Sequence, residues 1–456
     1  MQADFERDRE MARRIAEKVR EKGGRTFYVG GLVRDGLMGR ENKDADIEIH
    51  GVAPGETAAI LDSLGTRMNI GESFGIFGLK GYSLDIAMPR MENRLGAGHR
   101  DFDVCVYPFI GTEKAALRRD VTVNAMMQDV LTGEIIDHFG GQEDLRRGII
   151  RHVNDRTFAE DPLRVLRAAQ FAARFGFEVA EETIALCREM ELSALSRERI
   201  EGELKKALIK ADTPSVFFET LRRMGRLSEW FPEMEALIGI PQNPRHHAEG
   251  DVWTHTMMVL DAAAVYRERA GNPEGFMLAA MAHDVGKAVC TEEIDGVIHA
   301  YGHEEKGVPI AEKLLSRMTG EKKLIEYACN LIALHMKPNA LAAAGASVKS
   351  TNKMFDAAID PEALIGLALA DDQGKISDTA GGIHEAFLTE RLSAFREMMA
   401  RPCVMGRDLI SAGLRPGGDF SEILAYAHKL RLAGVEKESA LKQTISFAQK
   451  LRKKAR

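Results

Sequence analysis

A glycine pair that closes an apolar run, with two carboxylates spaced i, i+2 shortly after it, constrains this chain more than any other feature. Phe27, Tyr28 and Val29 lead into Gly30–Gly31–Leu32–Val33–Arg34–Asp35, and Asp44–Ala45–Asp46 follows. On a strand, side chains alternate, so Asp44 and Asp46 share one face. Adjacent carboxylates repel unless a cation lies between them. Mg²⁺ takes oxygen ligands of this kind while the phosphates of a nucleotide complete its shell. Gly30 and Gly31 let the backbone come close to a triphosphate, and Arg34 adds a charge-assisted contact. Each element alone has an ordinary reading, since glycine pairs are common in turns and Asp-x-Asp on solvated strand ends. Their order and proximity point to a nucleotidyl-transfer site.

At 456 residues the chain holds more than one domain. A hydrophobic content of 45% is ample for cores, yet no apolar run is long enough to span a membrane. The N-terminus is densely charged and lacks a signal-peptide core. Five scattered cysteines without a Cys-x-x-Cys pair fit a reducing, cytoplasmic setting and argue against a disulfide framework or zinc ribbon. The net charge of −7 does not exclude RNA, because binding needs only local positive surface. The last 35 residues carry nine Lys or Arg against three Glu, and basic pairs recur at Arg118–Arg119, Arg146–Arg147, Lys205–Lys206 and Arg222–Arg223. Each pair alone reads equally as a solvated helix face.

Residues 4–22 read as an amphipathic helix ended by Gly23–Gly24. From Thr26 to about His138, short apolar segments alternate with glycine-rich turns. Val29, Ile47–Ile49, Ile76–Leu79, Leu84–Ile86 and Ile135–Ile136 are strand material, with a helix near 56–64. After about Gly141 the period becomes helical. Pro241–Gln242–Asn243–Pro244 reads as a linker. Pro402 and Pro416–Gly417–Gly418 punctuate a helical tail.

Three more segments bear on the first site. Asp85, in the strand-like Ser83–Ala87, either joins the two carboxylates or is a surface group. In Arg118–Arg119–Asp120–Val121–Thr122–Val123–Asn124–Ala125, Arg119 suits a phosphate, and Asp120 and Asn124 suit a ribose hydroxyl. In Glu160–Asp161–Pro162–Leu163–Arg164–Val165–Leu166–Arg167, Asp161 is a natural N-cap with Pro162 at the first helical position. Asp161, Arg164 and Arg167 also line one helix face, where an acceptor and two donors match the edge of a base without a nucleic-acid template. The two readings are compatible.

In this order, from about Tyr28 to Trp230, the segments resemble the nucleotidyltransferase superfamily that includes tRNA CCA-adding enzymes and bacterial poly(A) polymerases. Gly71–Phe77 resembles the corresponding segment of bacterial class II CCA-adding enzymes. The resemblance implies that Asp161, Arg164 and Arg167 choose between CTP and ATP. It also implies a neck helix at Ser196–Lys206 and a flexible loop over Met91–Thr112. Gln170 stands where many relatives carry a further Arg, and Ala115–Ala116 where acidic residues are usual.

A second constellation comprises His255, His283–Asp284, His303, His335 and Asp371. A lone helical histidine is usually a core residue, but a His–Asp pair with His upstream and Asp downstream suits a divalent metal that activates water against a phosphate ester. The pattern resembles the HD phosphohydrolase superfamily. His255, His283, Asp284 and Asp371 match its metal ligands, and His303 and His335 stand where some members bind a second metal or phosphate. Ni²⁺, Mn²⁺ and Co²⁺ are candidates there, against Mg²⁺ in the first site. A vestigial domain that only helps to hold tRNA is the plainer alternative.

The expected fold is α+β: a nucleotidyltransferase head with a mixed sheet over 1–140, a helical neck and body over 141–240, an HD domain over 241–400 and a helical basic tail over 401–456. The expected function is addition of CCA to tRNA from CTP and ATP by a two-metal mechanism, with an added phosphatase or 2′,3′-cyclic phosphodiesterase activity. Asp44, Asp46 and Asp85 would be catalytic. Gly30, Gly31, Arg34, Arg119, Asp120, Asn124, Asp161, Arg164 and Arg167 would bind nucleotide. The alternatives are CC-only or A-only addition, poly(A) synthesis, an HD phosphohydrolase with an RNA-binding head, and a non-catalytic tRNA chaperone.

Overall fold

The structure, a computed structural model, describes residues 2–40, 45–71, 75–94, 102–376 and 383–454. It divides into two compact units, Met1–Ala207 with Val216–Trp230, and Leu208–Ser215 with Phe231–Arg456.

The first unit opens with the helix Gln2–Glu21, which stops before Gly23, a residue in the left-handed region at φ 80°. Met11, Ala12, Ile15 and Val19 recur at helical spacing and are buried against the head sheet. The strands of the head are β1 (Arg25–Val29), β2 (Ala45–His50), β3 (Arg67–Gly71), β4 (Ile76–Leu79), β5 (Leu84–Ala87), β6 (Arg90–Arg94), β7 (Phe102–Val106), β8 (Met127–Asp129) and β9 (Ile135–Ile136). Seven of them form one sheet in the order β3-β4-β5-β2-β1-β8-β9. The β2–β5 pair is parallel and the other pairs are antiparallel, so the sheet is mixed, as expected.

Strand alternation gives the sheet two faces. Tyr28, Ala45, Ile47, Ile49, Leu84 and Ile86 join the core under the first helix. Phe27 and Val29 join a second core with Ala115, Ala116, Ala125 and Met127 on the opposite side. The two alanines that replace acidic residues are thus wholly buried.

Two features depart from the sequence reading. The expected loop over Met91–Thr112 contains the antiparallel ribbon β6–β7 and the start of a helix, Thr112–Leu117. The glycine-rich composition that suggested a loop belongs to residues 95–100, which fall outside the described residues. Short β8 carries no periodicity of its own and gains its place by pairing with β1.

The second unit is built on the helices Val252–Tyr266, Pro273–Ala282, His303–Met318, Lys322–Leu334 and Pro361–Gln373. Asp251, Asn272 and Asp360 cap three of them, each accepting from the amide three residues on at 2.9–3.0 Å. Pro273 and Pro361 occupy first-turn positions. Gly275 to Ala282 are all buried, the mark of a helix surrounded by others. The segment read as a linker lies within this unit, and Gln242 is buried there. The tail helices Gly406–Ser411, Phe420–Leu432 and Lys437–Lys454 share a small core of Leu409, Leu414, Ile423 and Ala448.

The turn after Asp284 meets the helix His303–Met318 where two glycines face each other. A Cβ on Gly286 would lie 2.0 Å from the carbonyl oxygen of His303 and 2.8 Å from the amide nitrogen of Gly307. Both obstacles are backbone, so the helix itself must shift. Gly286→Ala is expected to cost about 1–3 kcal/mol, read by calorimetry as a lower thermal midpoint. An unchanged midpoint would reject this account of the crossing.

Candidate functional site

In the first unit the parallel register sets Asp46 directly opposite Asp85, so the two carboxylates share the face that carries Phe27. Asp46 is half-buried and Asp85 exposed. Asp44, the first carboxylate of the expected pair, lies outside the described residues, as do Glu72–Phe74. The acidic face therefore presents oxygen donors of the kind a hard divalent cation takes.

Glu48 has the same parity as Asp46 and is fully buried, a role the sequence reading missed. Its carboxylate accepts from His50 Nε2 at 2.8 Å, Arg118 Nη2 at 3.0 Å and Arg119 Nη2 at 3.3 Å. Burial opposes its ionisation, but His50, Arg119 and Arg118 outweigh that and hold its pKa down at about 2. Arg119 is thereby fixed within electrostatic reach of Asp46 and close to Gly30, where a Cβ would lie 3.8 Å from Arg119 Nη1.

Arg34 is turned inward. It is 4% exposed, pairs with Asp35, bonds the side-chain oxygen of Asn124, and lies 4.4 Å from the centroid of the Phe175 ring. Asn124 Nδ2 in turn donates to Asp120 Oδ1 at 3.2 Å. Gly31 begins the short helix Gly31–Leu37 that carries Arg34.

The helix Leu163–Phe175 brings Asp161, Arg164 and Arg167 to one region, each engaged within the unit. Asp161 Oδ1 accepts from the Leu163 amide at 3.1 Å, the expected capping contact, although Pro162 occupies the cap position itself. Arg199 Nη2 reaches Asp161 Oδ2 at 2.7 Å. Arg164 donates to the carbonyls of Thr157 at 2.6 Å and Arg118 at 2.7 Å. Arg167 Nε donates to Asp120 Oδ2 at 2.7 Å. Arg199 belongs to the neck helix Arg197–Lys210, for which a supporting role was expected. Its partner is 38 residues away, too far for local spacing to reveal. Gln170, one turn beyond Arg167, is buried.

In the second unit all six residues of the second constellation converge. His255 Nε2 lies 3.0 Å from Asp371 Oδ1 and 3.5 Å from Asp284 Oδ2. His283 Nε2 lies 3.3 Å from Asp284 Oδ2 and 3.9 Å from Asp371 Oδ1. His303 Nε2 is 3.2 Å from Asp284 Oδ1 and 3.3 Å from His335 Nε2. His255, His283 and Asp371 form one potential metal-holding group, and Asp284, His303 and His335 another.

The orientation of these rings fits metal binding. Nδ1 of His283, His303 and His335 meets the carbonyl oxygens of Ala280, Ala300 and Ile332 at 2.7–2.9 Å. A carbonyl only accepts, so each Nδ1 donates; in the neutral ring that leaves the Nε2 lone pair as the free ligand atom, and Nε2 is the atom that meets the central carboxylates in His283 and His303. His283 Nε2 is buried without a hydrogen-bond partner, as expected of an atom reserved for an ion. His335 is held neutral by burial and by His283, its pKa pushed down to about 3.

Glu249, His247, Lys287 and Lys375 extend this site and were not singled out in the sequence. Glu249 Oε1 lies 3.1 Å from His255 Nδ1 and 2.7 Å from His247 Nδ1. Lys287 Nζ is 2.7 Å from Asp284 Oδ2 and 2.8 Å from Gln242 Oε1, and Lys375 Nζ is 2.8 Å from Asp371 Oδ2. A cleft of about 480 Å³ opens onto these lysines and His303.

Three family models match the chain: Poly A polymerase head domain over residues 26–151, Probable RNA and SrmB-binding site of polymerase A over 176–238, and HD domain over 252–372. The Multifunctional CCA protein of Halorhodospira halophila is 37% identical over 429 residues, covering 91% of this chain and 98% of the relative. That of Chromobacterium violaceum is 38% identical over 358 residues, 77% and 84% of the two chains. Among solved structures, the Thermotoga maritima CCA-adding enzyme complexed with tRNA shares the fold, with a TM-score of 0.65 at 21% identity over 96% of this chain and 95% of that one. The Bacillus stearothermophilus CCA-adding enzyme in complex with CTP gives 0.64 at 21% identity, covering 96% and 97%.

The buried Glu48 carboxylate has a measurable signature. Its folded pKa, about 2, lies below the ordinary 4.5, so its stabilising contribution is complete above about 4.5 and is lost as pH falls towards 2. The stability gap between wild type and Glu48→Gln should narrow over that window in denaturant titrations at stepped pH. A gap independent of pH would reject the assigned charge state.

Proposed function

The chain belongs to the Multifunctional CCA protein family, and on that premise we propose how its residues carry out the family's chemistry. The protein adds CCA to the 3′ end of tRNA from CTP and ATP without a nucleic-acid template and releases pyrophosphate. The primer 3′-hydroxyl attacks the α-phosphorus of the incoming nucleotide, and the bond to pyrophosphate breaks in line. The reading of the head rests above all on Asp46 facing Asp85 in register, beside an arginine fixed by a buried carboxylate.

Divalent metal is part of both sites' chemistry. In the head, Mg²⁺ held by Asp44 and Asp46 supplies activation of the hydroxyl and neutralisation of the triphosphate. Asp85 adds a third oxygen donor. Arg119 binds phosphate, and the backbone at Gly30 and Gly31 leaves room for it. Asp120 and Asn124 hold the ribose, and Arg34 is a positioning residue that ties Asn124 to the helix carrying the base readers. Asp161, Arg164 and Arg167 offer one acceptor and two donors to the base edge. Their present partners, Arg199 for Asp161, two backbone carbonyls for Arg164 and Asp120 for Arg167, keep them oriented until a nucleotide competes.

In the second unit, a transition metal such as Ni²⁺, Mn²⁺ or Co²⁺ held by His255, His283, Asp284 and Asp371 supplies an activated water for phosphate-ester hydrolysis. His303 and His335 provide a second set of ligands or a phosphate contact. Boundaries near residues 140, 240 and 400 remain our division of the chain. A cytoplasmic location accords with the free thiols of Cys187, Cys290, Cys329 and Cys403.

The decisive assay supplies tRNA ending at the discriminator base, C or CC with CTP, ATP or both, and reads product length on a sequencing gel. Products should stop at CCA, with both nucleotides required by the shortest primer. A long A ladder, or addition of only CC or only A, would overturn the reading. Asp46→Ala is expected to abolish addition with the fold retained by circular dichroism, and near-normal addition would remove Asp46 from the site. Asp284→Ala should eliminate metal-dependent hydrolysis of 2′,3′-cyclic AMP while CCA addition persists. Undiminished hydrolysis would reject the HD site.

A further inference from the structure

The cleft over the second unit's metal-binding residues is lined by two chemically distinct kinds of group. One kind is Lys287, Lys375 and His303, the cations and imidazole that suit a phosphoester. The other is His299 and Tyr301, at and just beyond the hairpin Glu292–Ile294 and Val297–His299. The hairpin turns at Asp295 and Gly296, both with positive φ, at 51° and 75°. The His299 and Tyr301 rings lie nearly parallel, with centroids 4.8 Å apart and planes at 15°. Tyr301 nevertheless leaves 68% of its surface open.

An exposed tyrosine, ordered on one face by a stacked ring and open on the other, is a poor core residue and a good stacking surface. A planar base has a π-face that fits it whatever its sequence. The cleft volume of about 480 Å³ is in the range of small-ligand sites. The cations and imidazole alone would take any phosphoester. The ring pair gives a reason to prefer one that carries a base.

We propose that Tyr301, backed by His299, is a base-stacking platform that makes the HD cleft selective for nucleoside phosphates over base-free phosphoesters. Tyr301 is a specificity-determining residue and takes no part in bond breaking. The proposal rests on the hydrolase reading for its physiological meaning, but the stacking itself is tested separately.

The probe is 2-aminopurine riboside 3′-monophosphate, added to the full-length protein with the head saturated by CTP and Mg²⁺. Stacking quenches its fluorescence. Tyr301→Ala is expected to weaken binding about tenfold, while Tyr301→Phe and Tyr301→Trp keep it. Because Tyr301 is exposed, these variants retain the fold. In parallel, the KM for 2′,3′-cyclic AMP should rise about tenfold in Tyr301→Ala with kcat retained, and hydrolysis of glycerol phosphate should not change. Wild-type affinity in Tyr301→Ala would overturn the proposal, as would equal losses in the Ala and Phe variants or a matching loss on glycerol phosphate. Quenching that depends on Tyr301 without hydrolysis of either ester would uphold the platform and refute the hydrolase reading instead.

Discussion

A carboxylate with no access to water must be paired, and in the head that demand organises the site. Glu48 faces the sheet side opposite the first helix and draws in His50, Arg118 and Arg119. The arginines come from a segment about seventy residues downstream, so one buried charge ties the Asp-x-Asp strand to the Arg–Arg–Asp segment. From there opposite charges continue outward. Asp120 meets Arg167, Arg167 approaches Glu203 at 3.8 Å, and Asp161 meets Arg199. Burial alone would raise the Asp120 carboxyl, yet Arg167 and Asn124 hold it below the usual range. Asp161 and Arg167 are thereby held in place by opposite charges, while Arg164 is held by the carbonyls of Thr157 and Arg118; groups ordered in advance lower the entropy cost of binding.

The second unit meets the same difficulty by another route. Its two central carboxylates are buried and, burial notwithstanding, held well below the usual range, Asp284 chiefly by Lys287 and His283 and Asp371 by Lys375 and His255. Three imidazoles are aimed by carbonyls three residues back in the chain. His255 is aimed by Glu249, and Asp371 and Glu249 hold it above the ordinary range despite its burial. The lysines lie on the carboxylate oxygens, where they balance charge, and also line the cleft.

Local motifs were legible because their geometry is local. Gly30–Gly31, the Asp44–Asp46 alternation, the Asp161–Arg164–Arg167 spacing and the His283–Asp284 pair need only the strand or helix period to be interpreted. Strand pairing was not legible, so Asp85 was ambiguous until the parallel register placed it opposite Asp46. Glu48 was overlooked although its parity could be counted, because an acidic residue between Ile47 and Ile49 reads as the outer face of a strand. Arg34 reads as a free cation beside glycines, but Phe175 and Asn124, which turn it inward, lie in distant segments. Gln242 sits between two prolines and reads as linker, yet Lys287 holds it at a site 45 residues away. In each case the missing information was a partner far along the chain, which period and composition do not encode.

The two metal-binding arrangements differ in a way that follows from what must pass through them. The head presents carboxylates on an open sheet face, half-buried or exposed, with no imidazole among the expected ligands. Such a set binds hard ions weakly and leaves several coordination positions to the substrate, which suits Mg²⁺ arriving with a triphosphate and leaving with pyrophosphate. The HD centre buries its candidate ligands and mixes carboxylate with imidazole, a set suited to a softer divalent ion. A resident ion suits a site whose other reactant is water. A transient one suits a site that must exchange nucleotide at every addition. Ligand type and burial thus distinguish the two candidate sites, each lying within its own unit.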